Sequence, residues 1–100
     1  MKIEEIQKLE SLNNEFRDIL VGLREFLFSS DETMYSDEAR GFQKTMDNCV
    51  REGKKILREN NIKTEEELKS VCKKFLIPDF LNGLFDNNVY IPEEEIDCGL

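Results

Sequence analysis

The stretch from Ser36 to Asn61, SDEARGFQKTMDNCVREGKKILRENN, reads as one amphipathic helix and decides the fold. Ala39, Phe42, Met46, Cys49, Val50, Gly53, Ile56 and Leu57 recur at helical spacings, so at about 100° per residue they fall on one side. Ser36 has the short hydroxyl side chain that takes up free amides at a helix start, and Asp37 and Glu38 complement the positive end of the helix dipole. Asn60 and Asn61 supply the stop, because asparagine tolerates the left-handed conformation. An apolar stripe of this length must be buried against other elements.

The flanking sequence supplies them. Upstream, Ile6, Leu9, Leu12, Phe16, Ile19, Leu20, Leu23 and Leu27 predict a long helix between Ile3 and Phe28. Gly22 lies inside it at a cost of about 1 kcal/mol relative to alanine. Ser29, Ser30, Asp31 and Glu32 predict a loop. Downstream, Thr64 and Glu67 form a capping box. Leu68, Val71, Cys72, Phe75 and Leu76 then keep the helical period. They predict a medium helix that Pro78 ends or bends, since proline has no amide donor and disfavours helical geometry at Ile77. Phe80, Leu81, Leu84 and Phe85 predict a short fourth helix, with Pro78 in its first turn and Asp86, Asn87 and Asn88 closing it. Val89 to Pro92 read as extended, and Glu93 to Leu100 as a frayed end. The expected fold is all-α: a compact antiparallel bundle of three to four helices, two long, one medium and one short, with an extended acidic C-terminal tail. One domain over residues 1–92 and a flexible tail over 93–100 complete the expected organisation.

Composition agrees with one small helical domain. With 100 residues, 39% hydrophobic and 36% charged, the chain is too apolar for disorder. A chain of this size buries roughly 65% of its unfolded surface, enough for one core and not for a deep substrate cavity as well. There are no histidines, which removes Ser-His-Asp and Cys-His catalysis and His-ligated zinc sites. No apolar run approaches the ~18 residues of a membrane span, and no signal peptide opens the chain. Cys49, Cys72 and Cys98 are odd in number and widely spaced, which fits a reducing, cytoplasmic setting better than a disulfide framework. Cys49 and Cys72 read as small core residues. Cys98 is third from the last residue, where a prenylation motif needs the fourth, and reads as an exposed thiol.

Catalytic and cofactor signatures are missing. There is no Walker A loop, Rossmann fingerprint, H-E-x-x-H or G-x-S-x-G, and the five glycines are isolated from one another. Asp86, Asn87 and Asn88 resemble the start of a calcium loop, but the turn glycine is absent. Glu65, Glu66 and Glu67 are accounted for by helix capping, and neither Tyr35 nor Tyr90 has a neighbour in sequence that marks it as activated. The expectation is a protein that is not an enzyme and uses no cofactor and no metal.

What stands out is charge segregation. The formal net charge is −8, yet residues 40–74 hold ten bases against six acids. Residues 1–39 hold ten acids against four bases, and residues 75–100 hold six acids and no base. Arg40, Lys44, Arg51, Lys54, Lys55 and Arg58 project within an arc of roughly 100° opposite the apolar stripe. Glu15, Asp18 and Glu25 crowd the solvent side of the first helix, and Glu93, Glu94, Glu95 and Asp97 make the tail acidic.

These acidic residues are the expected contacts with a partner protein that has a basic surface, because complementary charge speeds encounter and fixes orientation. A small inhibitor, an immunity-type protein or a phage protein acting on a host enzyme fits that description. The basic face offers the alternative of a nucleic-acid-associated regulator, against which stand the pI near 4.6 and the lack of aromatic residues among the lysines. A third alternative is a homo-oligomeric structural bundle, for instance a dimer pairing basic and acidic faces across a two-fold axis.

Overall fold

Helix starts in this chain lie where a side chain takes over the first free amides. The Ser36 hydroxyl accepts from the Ala39 N–H at 3.2 Å and opens α2 (Asp37–Glu59). The Thr64 hydroxyl accepts from the Glu67 N–H at 3.1 Å and donates to the Glu67 carboxylate at 3.2 Å, opening α3 (Glu65–Val71). At the head of α1 (Ile3–Ser29) there is no capping hydroxyl, and the Glu5 carboxylate instead accepts from the Lys2 N–H at 3.0 Å. Pro78, whose missing N–H costs nothing in a first turn, begins α4 (Pro78–Phe85). The computed structural model describes residues 1–29 and 36–85, and among these there are four helices and no strand. The chain is all-α. Ser29, expected in the loop, is instead the last residue of α1; the rest of that loop, Tyr35, and everything from Asp86 to Leu100, with the expected tail and Cys98, lie outside the described residues.

The end of α2 is as defined as its start. Asn61 takes φ 57°, in the left-handed region, and lets the chain turn back on the helix. The Asn61 N–H then donates to the Arg58 carbonyl at 3.2 Å, and the Ile62 N–H to the Leu57 carbonyl at 2.9 Å. This is the paired Schellman arrangement, which brings Ile62 back beside Leu57.

α1 and α2 lie side by side in opposite directions. At one end the Asn60 amide donates to the Glu5 carboxylate at 2.8 Å; at the other the rings of Phe26 and Phe42 sit 5.9 Å apart. That hydrogen bond and the one from Lys2 hold the Glu5 carboxyl below its ordinary pKa. α4 packs on both long helices. Phe80 stacks on Phe16 with centroids 5.3 Å apart and planes 14° from parallel, and both are fully buried with Leu9, Met46 and Leu68. Gly53 lies at the crossing, and a Cβ placed there would lie 2.7 Å from Leu84 Cδ2 and 3.3 Å from Phe80 Cζ, so those side chains would have to shift. The Arg24–Asp79 pair, 2.9 Å long and largely exposed, links α1 to α4 at about 0–1 kcal/mol.

The third helix differs from expectation. It is seven residues long, not medium, and it ends at Val71, well before Pro78. Phe75, expected on its apolar stripe, is 86% exposed, and Cys72 is half-buried. The reason is tertiary. Leu68 is the one buried residue of α3, and beyond Val71 the chain leaves helical geometry, Cys72 having ψ 139°. That non-helical path buries Leu76 and brings the Ile77 N–H to the Oδ1 of Asn13, 3.2 Å away on α1. Asn13 is 4% exposed, and its carbonyl satisfies an amide that no helix can use.

The close approach at Gly53 sets a test by substitution. Gly53→Val overpacks the crossing and is expected to lower the unfolding free energy by about 2–3 kcal/mol. Gly41→Ala, where a methyl group meets nothing within 4 Å, is expected to raise it by about 0.5–1 kcal/mol. Urea denaturation of both variants reads the contrast, and equal effects would contradict the crossing described.

Candidate functional site

Charged side chains on the two long helices are what the fold presents to solvent. The apolar side of α2 is spent on the core, so its opposite side projects outward. Arg40, Lys44, Arg51, Lys55 and Arg58 are exposed and Lys54 is half-buried. At about 1.5 Å per residue the row from Arg40 to Arg58 is roughly 27 Å long. The arc read from the sequence is therefore present as a surface.

The acidic set divides. Asp18 and Glu25 are exposed on the outer side of α1, two helical turns apart. Glu15 is also exposed, but its carboxylate lies close enough to the Cys49 thiol, across the α1–α2 contact, to help push that thiol's pKa up. Glu93, Glu94, Glu95 and Asp97 lie outside the described residues. Among the predicted acidic contacts, then, the structure places Asp18 and Glu25 together on one face and gives Glu15 a neighbour on α2.

The sulfur chemistry is quiet. Cys49 is 3% exposed; burial first, then the nearby Glu15 carboxylate, push its thiol from an ordinary value near 9 to about 11. Cys72 is pushed up as well, by burial and by Glu10. Neither thiol is a ready nucleophile at neutral pH. Among the described residues no group of three His, Cys, Asp or Glu side chains could hold a metal ion. No helix among them is long and apolar enough to cross a membrane.

Two features escaped the sequence reading. Asn13 falls on the buried side of α1 beside Leu12 and Phe16, and a polar residue in an apolar stripe was the available signal. The second is an open cleft of about 280 Å³ where α2 ends beside α4. Leu57, Ile62, Leu84 and Phe85 supply its apolar lining. Three cations, Lys54, Arg58 and Lys63, also line it. The sequence marks each residue but gives no hint that the end of α4 comes to rest beside the turn after α2.

The chain matches no family model, no curated protein and no solved structure.

The Cys49 thiol gives a pH dependence of known sign. Between about pH 9 and 11 the unfolded chain has lost this proton while the folded chain keeps it. Its contribution to stability is therefore complete below pH 9 and is lost as pH rises toward 11, with a limiting slope of about 1.4 kcal/mol per pH unit. Urea denaturation between pH 7.5 and 10.5 should show Cys49→Ala destabilised at the lower end, with the gap to the parent chain narrowing above pH 9. A gap that stays constant would argue that the thiol is not held in its protonated form.

Proposed function

We propose that this chain is a non-enzymatic protein-binding protein, a small acidic inhibitor of the immunity or phage anti-host type that blocks a cytoplasmic partner through charged surfaces. The observation that carries the reading is the placement of Asp18 and Glu25 on the outer side of a 27-residue helix whose other side is locked into the core. Carboxylates on such a helix keep their backbone spacing, so they meet a basic partner surface without the cost of ordering a loop. The raised pKa values of the Cys49 and Cys72 thiols support a role in binding rather than in covalent chemistry. The finer architecture belongs to the same proposal: a compact antiparallel bundle over residues 1–92, from which Glu93, Glu94, Glu95 and Asp97 extend the acidic surface.

One observation favours a second reading. The row on α2 sets five exposed cations along one helix face, interrupted only by Asp47, and phosphates along a nucleic-acid backbone are its natural complement. Net charge opposes it, since a chain at −8 is repelled by a polyanion at long range.

Affinity capture with the tagged full chain, with and without nuclease and at low and high salt, separates these readings. The expected result is one stoichiometric protein that survives nuclease and is released by salt. Asp18→Asn with Glu25→Gln is expected to weaken its capture about three- to tenfold, the effect of losing two partly screened charge pairs. Arg51→Glu with Lys55→Glu should leave it unchanged. The reverse pattern, with nuclease-sensitive capture, would favour the nucleic-acid reading. Light scattering that shows a dimer disrupted by either pair of substitutions would favour self-association.

A further inference from the structure

We propose that the cleft between the end of α2 and the end of α4 is a docking groove whose occupant is this chain's own C-terminal segment, residues 86–100. The inference extends the charged-surface reading, because it gives the tail carboxylates an intrachain site that competes with a partner.

The groove has the two chemistries that an acidic, apolar-bearing segment requires. Leu57, Ile62 and Leu84 form an apolar floor of the size that takes one or two side chains, and Arg58 and Lys63 stand at its edge. The Schellman turn at Asn61 fixes the far wall, because it folds Ile62 back beside Leu57.

The segment has the matching chemistries. Residues 86–100 carry Val89, Tyr90, Ile91 and Ile96 together with five acids, Asp86, Glu93, Glu94, Glu95 and Asp97, and no base. Phe85, the last residue of α4, itself lines the groove, so the segment starts at the groove's edge. Tethering this short gives an effective concentration on the order of millimolar, at which even a weak contact is populated.

Charge rejects other concave sites. The hollow at the head of α3 is lined by Glu65 and Glu66, and its one cation, Lys69, is paired with Glu65 at 2.9 Å. The hollow beside Phe28 at the end of α1 carries Glu25, and its one cation, Arg24, is paired with Asp79 at 2.9 Å. An acidic segment is repelled by both and attracted to the α2–α4 groove.

Cys98 belongs to the segment and is a handle for the test. A nitroxide attached there in the full chain, on a Cys72→Ser background, leaves buried Cys49 unlabelled at neutral pH. Amide signals of Arg58 to Lys63 and of Leu84 and Phe85 are expected to lose at least half their intensity relative to the reduced label. Signals of residues 21–28, at the opposite end of α1, should lose far less. Arg58→Glu with Lys63→Glu, both exposed positions, should restore the groove signals, and so should about 0.5 M salt through shorter screening.

Broadening that is even along the molecule, or that ignores charge reversal and salt, would overturn the proposal. So would broadening seen only when spin-labelled chains are mixed with separate isotope-labelled ones, since that places a second copy in the groove. None of these readouts involves a partner protein, so failure of partner capture and failure of the groove proposal are separate results.

Discussion

The fold depends on one position where the chain has no side chain. α4 packs closest on α2 at Gly53, where a single added carbon would sit 2.7 Å from the end of the Leu84 side chain. That approach lets Phe80 lie flat against Phe16 and lets Leu9, Phe80 and Leu84 meet around one point. The link between Asn13 and Ile77 and the ion pair between Arg24 and Asp79 are set by the same seating, since both tie α1 to the start of α4. In an exposed helix interior a glycine costs about 1 kcal/mol relative to alanine. At Gly53 that cost is offset by the burial of two large side chains that a Cβ would push away.

How much of this was legible follows from the range of each interaction. The caps at Ser36 and Thr64, the stop at Asn60 and Asn61, and the start of α4 at Pro78 each join residues within five positions of one another, and each reads directly from sequence. The apolar periods of α1 and α2 are local in the same sense. Phe75 shows where this stops. Its spacing from Leu68 and Cys72 is helical, but the path of residues 72–77 is set by an amide that reaches Asn13 across a separation of 64 positions. Local periodicity and a distant hydrogen bond competed over one short segment, and a helix anchored by Leu68 alone had too little buried surface to prevail.

The surface divides along the same line. The arc of six bases on α2 is a property of helical geometry and was legible before any fold was known. The contact between Glu15 and the Cys49 thiol depends on how α1 and α2 register against each other, which no pattern within either helix encodes. It sets one exposed carboxylate beside a buried thiol, where it adds to burial in pushing that thiol's pKa up. Asp18 and Glu25, three and ten residues further along α1, keep to the solvent side.

α2 therefore joins the core to the basic face and to the groove beside α4. Its apolar side receives α1 and α4, its basic side faces solvent, and its last turn, folded back at Asn61, makes one wall of the groove beside α4. These roles are not independent. The seating of α4 at Gly53 places Leu84 and Phe85, so the shape of the groove follows from the same close approach that closes the core. A small chain with Cys49 and Cys72 held protonated and most apolar side chains among its described residues spent on one core has surface as its principal resource. Here that surface is sorted by charge on two rigid helices, and the sorting gives the outer side of α1 and the end of α2 affinities of opposite sign.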